Sequence, residues 1–274
     1  MIRLIHPFPS ILDGAVVGAV ALIAGGDGLT AARLAVSMTA LQASIGSLND
    51  LVDARRDAGH KPGKPIPAGL VSTRVAAATV AAGAGIGVGL AIPSGWGTIG
   101  LAGVGLAIGY GYDIRFKGTA WSWLPFAVGI PLLPVYGWLG ATGTLPPSFV
   151  VLLPVAVLAG AALAIANARA DAERDVQAGV DSVAIRLGPG RAWAVNAGLL
   201  CVVVVVAVGT LIGVGASAGA LVGALVAAMV IGLGVVVGRV GHRSLREHAW
   251  ELQAIGLGLL ALAWLVGVPL DGGR

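Results

Sequence analysis

The stretch LLPVAVLAGAALAIANARADAERD, residues 152–175, joins a long apolar segment to a short, highly charged one. The apolar part is long enough for a membrane-spanning helix and too long for an ordinary strand. Near its end Asn167, Asp171 and Asp175 recur at four-residue spacing, so they share one face if the helix continues through them. The sequence therefore predicts a membrane helix whose end carries an acidic face.

The same polar skeleton occurs earlier in the chain, in NDLVDARRD at residues 49–57. Asn49, Asp53 and Asp57 have the identical spacing, and Asp50 lies at the edge of the same face. A carboxylate inside a bilayer costs roughly 2.5 to 3.5 kcal/mol on insertion scales, so two such faces at the ends of apolar segments indicate a function. Carboxylate oxygens are the ligands that Mg²⁺ takes when it also binds substrate phosphates. The two faces therefore predict a paired divalent-cation site.

The rest of the chain is equally apolar. Of 274 residues, 57% are hydrophobic and 11% are charged, which is typical of a polytopic membrane protein. No segment alternates with a period of two, so the pattern excludes a β-barrel. We predict one all-α membrane domain, residues 1–274. Its nine or so transmembrane helices are expected at residues 11–26, 29–52, 72–93, 96–112, 120–142, 147–172, 191–212, 217–238 and 250–270.

Glycine is abundant, with 44 residues. Many glycines recur at small-xxx-small spacing, as in GAGIGVG at residues 83–89, and this spacing predicts close helix packing. Cys201 is the only cysteine, which excludes a disulfide within the chain.

The basic residues predict the orientation in the membrane, because cytoplasmic loops are enriched in Lys and Arg. With nine crossings, all of the 17 Lys and Arg residues except Arg33 and Arg274 fall on the side of the N-terminus. We therefore predict a multi-pass protein of the plasma membrane with a cytoplasmic N-terminus and an external C-terminus. The net charge of +4 follows from this distribution, so it gives no reason to expect nucleic-acid binding.

Two polar loops on the predicted cytoplasmic side carry cations. Lys64 lies in KPIP, a stiff loop that follows the first acidic face, where its ammonium group can meet a phosphate oxygen. Tyr112, Arg115 and Lys117 lie in YGYDIRFKG. The two cations either anchor this loop at the membrane surface or neutralise a diphosphate leaving group. Tyr112 is either a membrane-interface residue or a substrate contact.

Arg169 and Arg174 lie among the acids of the second segment. For these two arginines, simple pairing with those acids is as well supported as a role in function. Two acidic faces that met across a bundle without a cation would repel each other. A bound Mg²⁺ that carries a diphosphate would remove this repulsion.

Both acidic segments resemble the signature motifs of a known family, the UbiA-type intramembrane prenyltransferases. NDLVDARRD followed by KPIPAG is similar to the family's first Asp motif, and DAERDVQAGVDSVAIRLG at residues 171–188 is similar to its second. The order and separation of the motifs also agree, so the resemblance covers nearly the whole chain. It implies a helix bundle around a central cavity that opens to the cytoplasmic side and holds Mg²⁺ and a polyprenyl diphosphate.

The resemblance implies a role for each matching position. The implied catalytic and metal-binding residues are Asp50, Asp53, Asp57, Asp171 and Asp175, with Asn49 as a further metal ligand. The implied substrate-binding residues are Asn49, Lys64, Tyr112, Arg115, Lys117 and Asn167. Lys64 stands where the signature usually has Arg, and Asn167 stands where many members carry a third Asp.

The implied reaction transfers a prenyl group from a polyprenyl diphosphate to a small aromatic or lipid acceptor within the bilayer. Two alternatives stay open at this stage. A secondary transporter also carries intramembrane carboxylates, although it predicts charges near the middle of the membrane and broken helices. A related transferase that moves a phosphorylated sugar or an alcohol group would use similar acidic motifs.

Overall fold

The computed structural model describes residues 2–58, 63–177, 179–240 and 243–269. Over these residues the structure is all-helical and has no β-strand, which confirms the predicted fold class. The α-helices of the described residues are α1 (Pro7–Ile23), α2 (Gly28–Asp57), α3 (Thr73–Ala91), α4 (Trp96–Gly111), α5 (Leu124–Gly129), α6 (Leu132–Thr142), α7 (Phe149–Ala170), α8 (Ala172–Gln177), α9 (Val183–Leu187), α10 (Pro189–Gly213), α11 (Ala218–Val240) and α12 (Arg243–Gly267). A π-helical turn, Tyr112–Phe116, follows α4, and 3₁₀ helices lie at Ile2–Ile5 and Ile92–Ser94.

Six segments in the described part of the chain are long and apolar enough to cross a membrane, which makes this a multi-pass membrane protein. They are Thr73–Ser94, Leu124–Thr142, Phe149–Ala170, Pro189–Gly213, Ala218–Val240 and Ser244–Gly267. Each corresponds to one of the nine predicted crossings. The other three predicted segments are also helical: α1 and α4 have 17 and 16 residues, and α2 has 30. The count of nine crossings stays a prediction.

The chain divides into two compact units. The first comprises Met1–Phe116 and Leu132–Leu145, and the second comprises Lys117–Pro131 and Pro146–Arg274. One of the boundaries, between Pro131 and Leu132, falls inside the crossing predicted at residues 120–142, where the helix is interrupted between α5 and α6 at Ile130 and Pro131. Proline has no backbone N–H to donate within a helix, which accounts for the interruption.

Small residues let α2 and α3 approach closely in the first unit. A Cβ atom at Gly83 would lie 2.8 Å from the carbonyl oxygen of Ala40 and 3.0 Å from Cβ of Ser44. Two glycines of GAGIGVG therefore lie at the helix contact, since Gly87 packs against Leu41 in the same way. Gly85 lies between them and has no described atom within 4 Å of a Cβ at its position.

Two similar hydroxyl networks also join α2 to α3. Ser37 Oγ donates to the carbonyl oxygen of Gly87 at 2.6 Å, and its oxygen lies 2.6 Å from the hydroxyl of Tyr136. Seven residues further along α2, Ser44 Oγ donates to the carbonyl oxygen of Val80 at 2.7 Å. Each serine has one hydroxyl hydrogen, which it gives to the carbonyl, so in the first network the tyrosine donates to the serine.

In the second unit, α7 packs against α5, α10 and α12. A Cβ atom at Gly160 of α7 would overlap the carbonyl oxygen of Phe126 in α5. Buried Asn196 of α10 donates to the carbonyl oxygen of Ala162 at 2.9 Å and to Oε1 of Gln253 at 3.0 Å. These hydrogen bonds satisfy polar groups that would be costly to bury alone.

Candidate active site

The first acidic face lies on α2, which continues as one helix through the whole motif to Asp57. Its four predicted residues are all buried, whereas Arg55 and Arg56 of the same turns are exposed. The exposed fractions are 8% for Asn49, 1% for Asp50, 2% for Asp53 and 3% for Asp57. The helical spacing therefore placed these side chains correctly on a single buried face.

One carboxylate oxygen of Asp50 accepts hydrogen bonds from two side chains. His6 Nε2 lies 2.9 Å from Oδ1 of Asp50, and Lys64 Nζ bonds to the same oxygen. A carboxylate oxygen only accepts hydrogen bonds, so both nitrogens donate. Oδ2 of Asp50 is buried and has no hydrogen-bond partner among the described residues. An unsatisfied buried acceptor costs about 1–3 kcal/mol, so this oxygen is suited to a ligand.

The loop that carries Lys64 is folded back on itself. The backbone N–H groups of Leu70 and Val71 both donate to the carbonyl oxygen of Pro65, at 3.0 and 3.2 Å. Val71 also packs into a small apolar cluster with Leu4 and Ala76. These contacts hold Lys64, which the sequence predicted as a substrate contact, beside the first acidic face.

Asp113 belongs to this site, although its position in the sequence did not predict it. Asn49 Nδ2 donates to Oδ1 of Asp113 at 2.7 Å, and Asp113 is only 4% exposed. It lies in the π-helical turn with the predicted residues Tyr112, which is half-buried, and Arg115, which is exposed. The available signal was an acid placed directly between these two candidates. His6 was also missed, because nothing near it in the sequence points to Asp50.

The second acidic segment is not carried by one continuous helix. Helix α7 ends at Ala170, and Asp171 lies at a break before α8. At the break the N–H of Asp171 bonds to the carbonyl oxygen of Arg169 and does not continue the i to i−4 ladder. The ladder resumes where Asp175 N–H bonds to the carbonyl oxygen of Asp171 at 2.9 Å.

The predicted site residues of this second segment are less buried than those of the first. Asn167 on α7, Asp171 at the break and Asp175 on α8 are all partly exposed. Lys117, the remaining predicted substrate contact, is partly buried and belongs to the same unit.

Arg174 pairs with acids, as its position among them in the sequence suggests. Its Nη1 donates to Oδ1 of Asp171 at 2.7 Å, and its Nη2 donates to Oε1 of Glu247 at 3.1 Å. Beside it, Arg246 bonds to Glu173. Arg169 instead donates to the carbonyl oxygen of Gly238 at 2.9 Å. Two ion pairs thus attach α8 to the start of α12.

The donor chemistry of the first unit fits a magnesium ion. Within the described residues, no three or more His, Cys, Asp or Glu side chains are already grouped as a metal centre. Mg²⁺ does not need such a group, because it commonly takes one or two carboxylates and completes its shell with substrate phosphates and water. The buried carboxylates of α2 meet this requirement, because Oδ2 of Asp50 has no hydrogen-bond partner among the described residues.

These features define a class of protein: a multi-pass helical membrane protein with a buried acidic face beside a lysine. The family model of the UbiA prenyltransferase family matches residues 14–260. The chain therefore belongs to the UbiA prenyltransferase family, which confirms the resemblance seen in its two motifs.

Solved structures share this fold. The apo structure of a UbiA homolog from Aeropyrum pernix K1 is 21% identical with a TM-score of 0.77, over 94% of this chain and 97% of that one. A UbiA homolog from Archaeoglobus fulgidus bound to GPP and Mg²⁺ is 19% identical with a TM-score of 0.72, over 97% and 98%. A digeranylgeranylglyceryl phosphate synthase is 17% identical with a TM-score of 0.70, over 97% and 96%. A comparison with curated protein sequences gives no match.

Proposed function

We propose that the protein transfers a prenyl group from a polyprenyl diphosphate to a small aromatic or lipid acceptor within the membrane, with Mg²⁺ as cofactor. The observation that carries this proposal is the buried acidic face of α2. There Lys64 bonds to Oδ1 of Asp50, and Oδ2 of the same carboxylate has no hydrogen-bond partner among the described residues. Family membership supports the reaction and favours it over a transporter. The Archaeoglobus fulgidus homolog, which is bound to GPP and Mg²⁺, supports the class of donor and the metal.

One set of residues would bind the metal, and a second set would contact the diphosphate substrate. The proposed metal-binding residues are Asn49, Asp50, Asp53, Asp57, Asp171 and Asp175. The proposed substrate contacts are Lys64, Tyr112, Arg115, Lys117 and Asn167, together with the amide of Asn49. Bound Mg²⁺ would supply positive charge to the departing diphosphate.

The residues of this chain would act by binding, charge and exclusion of water. The diphosphate leaves with the electrons of the broken C–O bond. The cations at Lys64, Arg115 and Lys117 stabilise its negative charge as it leaves. The apolar helices keep water from the allylic cation, and an aromatic ring such as that of Tyr112 stabilises it. The acceptor supplies the attacking atom and then loses a proton, so the reaction needs no protein nucleophile.

We also propose the membrane arrangement that the sequence predicts. Residues 1–274 form one functional domain with nine crossings, and its cavity opens to the cytoplasmic side. The protein lies in the plasma membrane with its N-terminus in the cytoplasm. Helix α2 has 30 residues, which at 1.5 Å per residue is about 45 Å, enough to cross a bilayer.

An assay of the purified protein in lipid nanodiscs tests the proposed reaction. The protein would be incubated with Mg²⁺, radiolabelled geranylgeranyl diphosphate and a lipid extract that contains possible acceptors. We expect labelled product and released pyrophosphate, both lost in excess EDTA. The proposal fails if neither forms with any donor length tested.

Two substitutions test the assignment of the acids. Asp53→Ala and Asp171→Ala should each lower the rate more than about 100-fold, because each removes a proposed ligand of the Mg²⁺ that would neutralise the departing diphosphate. Asp27→Ala is the matched control at the N-cap of α2: Asp27 is exposed, and its carboxylate accepts from the N–H of Thr30 at 2.7 Å. Size-exclusion profiles should stay monodisperse in all three. A near wild-type rate would remove that acid from the site.

A further inference from the structure

His6 has an unusual backbone conformation. It is the only non-glycine residue with positive φ in the described part of the chain, with φ of 47° and ψ of 69°. L-residues seldom adopt this left-handed region, and such strain persists where the surrounding structure enforces it. His6 lies directly before α1, so this conformation sets the direction in which its side chain leaves the backbone.

The surface of α2 is shaped to receive the imidazole. A Cβ atom at Gly46 would lie 3.0 Å from Cβ and 3.1 Å from Cγ of His6. Any larger residue at Gly46 would therefore push the ring away from the helix. One turn further along α2 is Asp50, and His6 Nε2 lies 2.9 Å from its Oδ1.

The two donors at Oδ1 of Asp50 differ in rigidity. Lys64 reaches the oxygen with a flexible four-carbon stem, and its proposed role also calls for contact with a phosphate. The imidazole of His6 has only two side-chain torsions, and its Nε2 lies 3.4 Å from Lys64 Nζ. If Lys64 turns toward a diphosphate, His6 still holds Oδ1. The buried Oδ2 then keeps its orientation.

We propose that His6 is a positioning residue of the diphosphate site. It fixes Oδ1 of Asp50 jointly with Lys64, and so presents Oδ2 to the magnesium–diphosphate complex. This inference rests on the proposed function, because it assigns Asp50 to that complex. Groups that orient a metal ligand in this way typically change metal affinity or activity by 10–100-fold when they are removed.

Three variants test this role. His6→Phe keeps a planar ring and removes the N–H donor, whereas His6→Gln restores an amide N–H at the same number of bonds from the backbone as Nε2. His248→Phe is the matched control, since His248 is exposed on α12 and bonds to the carbonyl oxygen of Ser244. The first readout is the Mg²⁺ concentration that gives half-maximal thermal stabilisation in the presence of inorganic pyrophosphate. The second is the Mg²⁺ dependence of prenyl transfer.

For His6→Phe we expect the required Mg²⁺ concentration to rise by about 10–100-fold at an unchanged melting temperature without metal. His6→Gln should recover to within a few-fold of wild type, and His248→Phe should not differ from it. An unchanged Mg²⁺ requirement in His6→Phe overturns the inference. So does an equal loss in His6→Phe and His6→Gln, because that result indicates a purely structural role.

A milder variant covers the case in which substitution of His6 prevents folding. Gly46→Ala displaces the imidazole by a few tenths of an ångström and leaves His6 in place, and it should raise the Mg²⁺ requirement to a smaller extent. An unchanged requirement in this variant also overturns the inference. If wild type transfers no prenyl group, the proposed function fails, but the pyrophosphate titration still decides the role of His6. Wild type that shows no Mg²⁺ response in that titration overturns the positioning role itself.

Discussion

At the scale of single residues, the site depends on which side chains carry charge. Asn49 is the one amide on the buried acidic face of α2, and the structure gives a reason for it. Its Nδ2 donates to Oδ1 of buried Asp113 at 2.7 Å, which is a charge-assisted hydrogen bond between α2 and the turn after α4. A carboxylate at position 49 would face Asp113 without a proton to give.

Asn49→Asp is therefore expected to destabilise the protein by about 1–3 kcal/mol, measured as the shift in thermal unfolding in detergent. Prenyl transfer should fall as well. The double variant Asn49→Asp with Asp113→Asn exchanges the amide and the carboxylate, so it should recover most of the lost stability. If Asn49→Asp melts at the wild-type temperature, the contact contributes nothing to the fold.

At the scale of secondary-structure elements, the contact between α2 and α3 determines where the acidic face lies. The serines at positions 37 and 44 and the glycines at 83 and 87 are spaced by seven and four residues, so each pair stays on one side of its helix. Their hydroxyl bonds and close packing fix α2 lengthwise against α3. Asp50 and Asp53 follow on the same helix.

Gly83→Ala should destabilise the protein by about 1–3 kcal/mol, because its methyl group would press on the backbone oxygen of Ala40. Gly85→Ala is the matched control on the same helix, and no described atom lies within 4 Å of its added methyl group. The better helix propensity of alanine should leave this control neutral or slightly stabilised. The measurement is the melting temperature of both variants in the same detergent. Equal melting temperatures would contradict close packing at Gly83.

Much of the element layout can be predicted from the sequence, because apolar length and helical period are local properties. All nine predicted segments are helical, and the face from Asn49 to Asp57 is buried as its spacing indicates. The break at Asp171 was not predictable, since no proline or glycine marks a helix end there. The partners His6 and Asp113 also escaped prediction. They lie 44 and 64 residues from their partners, and no local pattern encodes such contacts.

At the scale of the whole molecule, the proposed arrangement specifies the number and direction of the crossings. Six helices satisfy the length and apolarity of a membrane span within the described residues. The proposed orientation adds α1, α2 and α4, which brings nearly all Lys and Arg residues to one side.

Single cysteines introduced into a Cys201→Ser background test this orientation. Arg74→Cys, at the start of α3, is expected on the cytoplasmic side, and Thr144→Cys, between α6 and α7, on the outside; both positions are exposed. A membrane-impermeant maleimide should label Thr144→Cys in intact cells and Arg74→Cys only after permeabilisation. The reverse pattern, or labelling of both in intact cells, would contradict nine crossings with a cytoplasmic N-terminus.

The acidic face of α2 also affects how the chain enters the membrane during synthesis. Each of its buried carboxylates opposes partition into lipid, and α2 is not among the six segments of the described residues that are long and apolar enough to cross a membrane. Its extensive contacts within the first unit are with α1 and α3, which are far more apolar. If α2 crosses the membrane as proposed, the translocon must release it together with these neighbours. Assembly of the first three helices then precedes formation of the site.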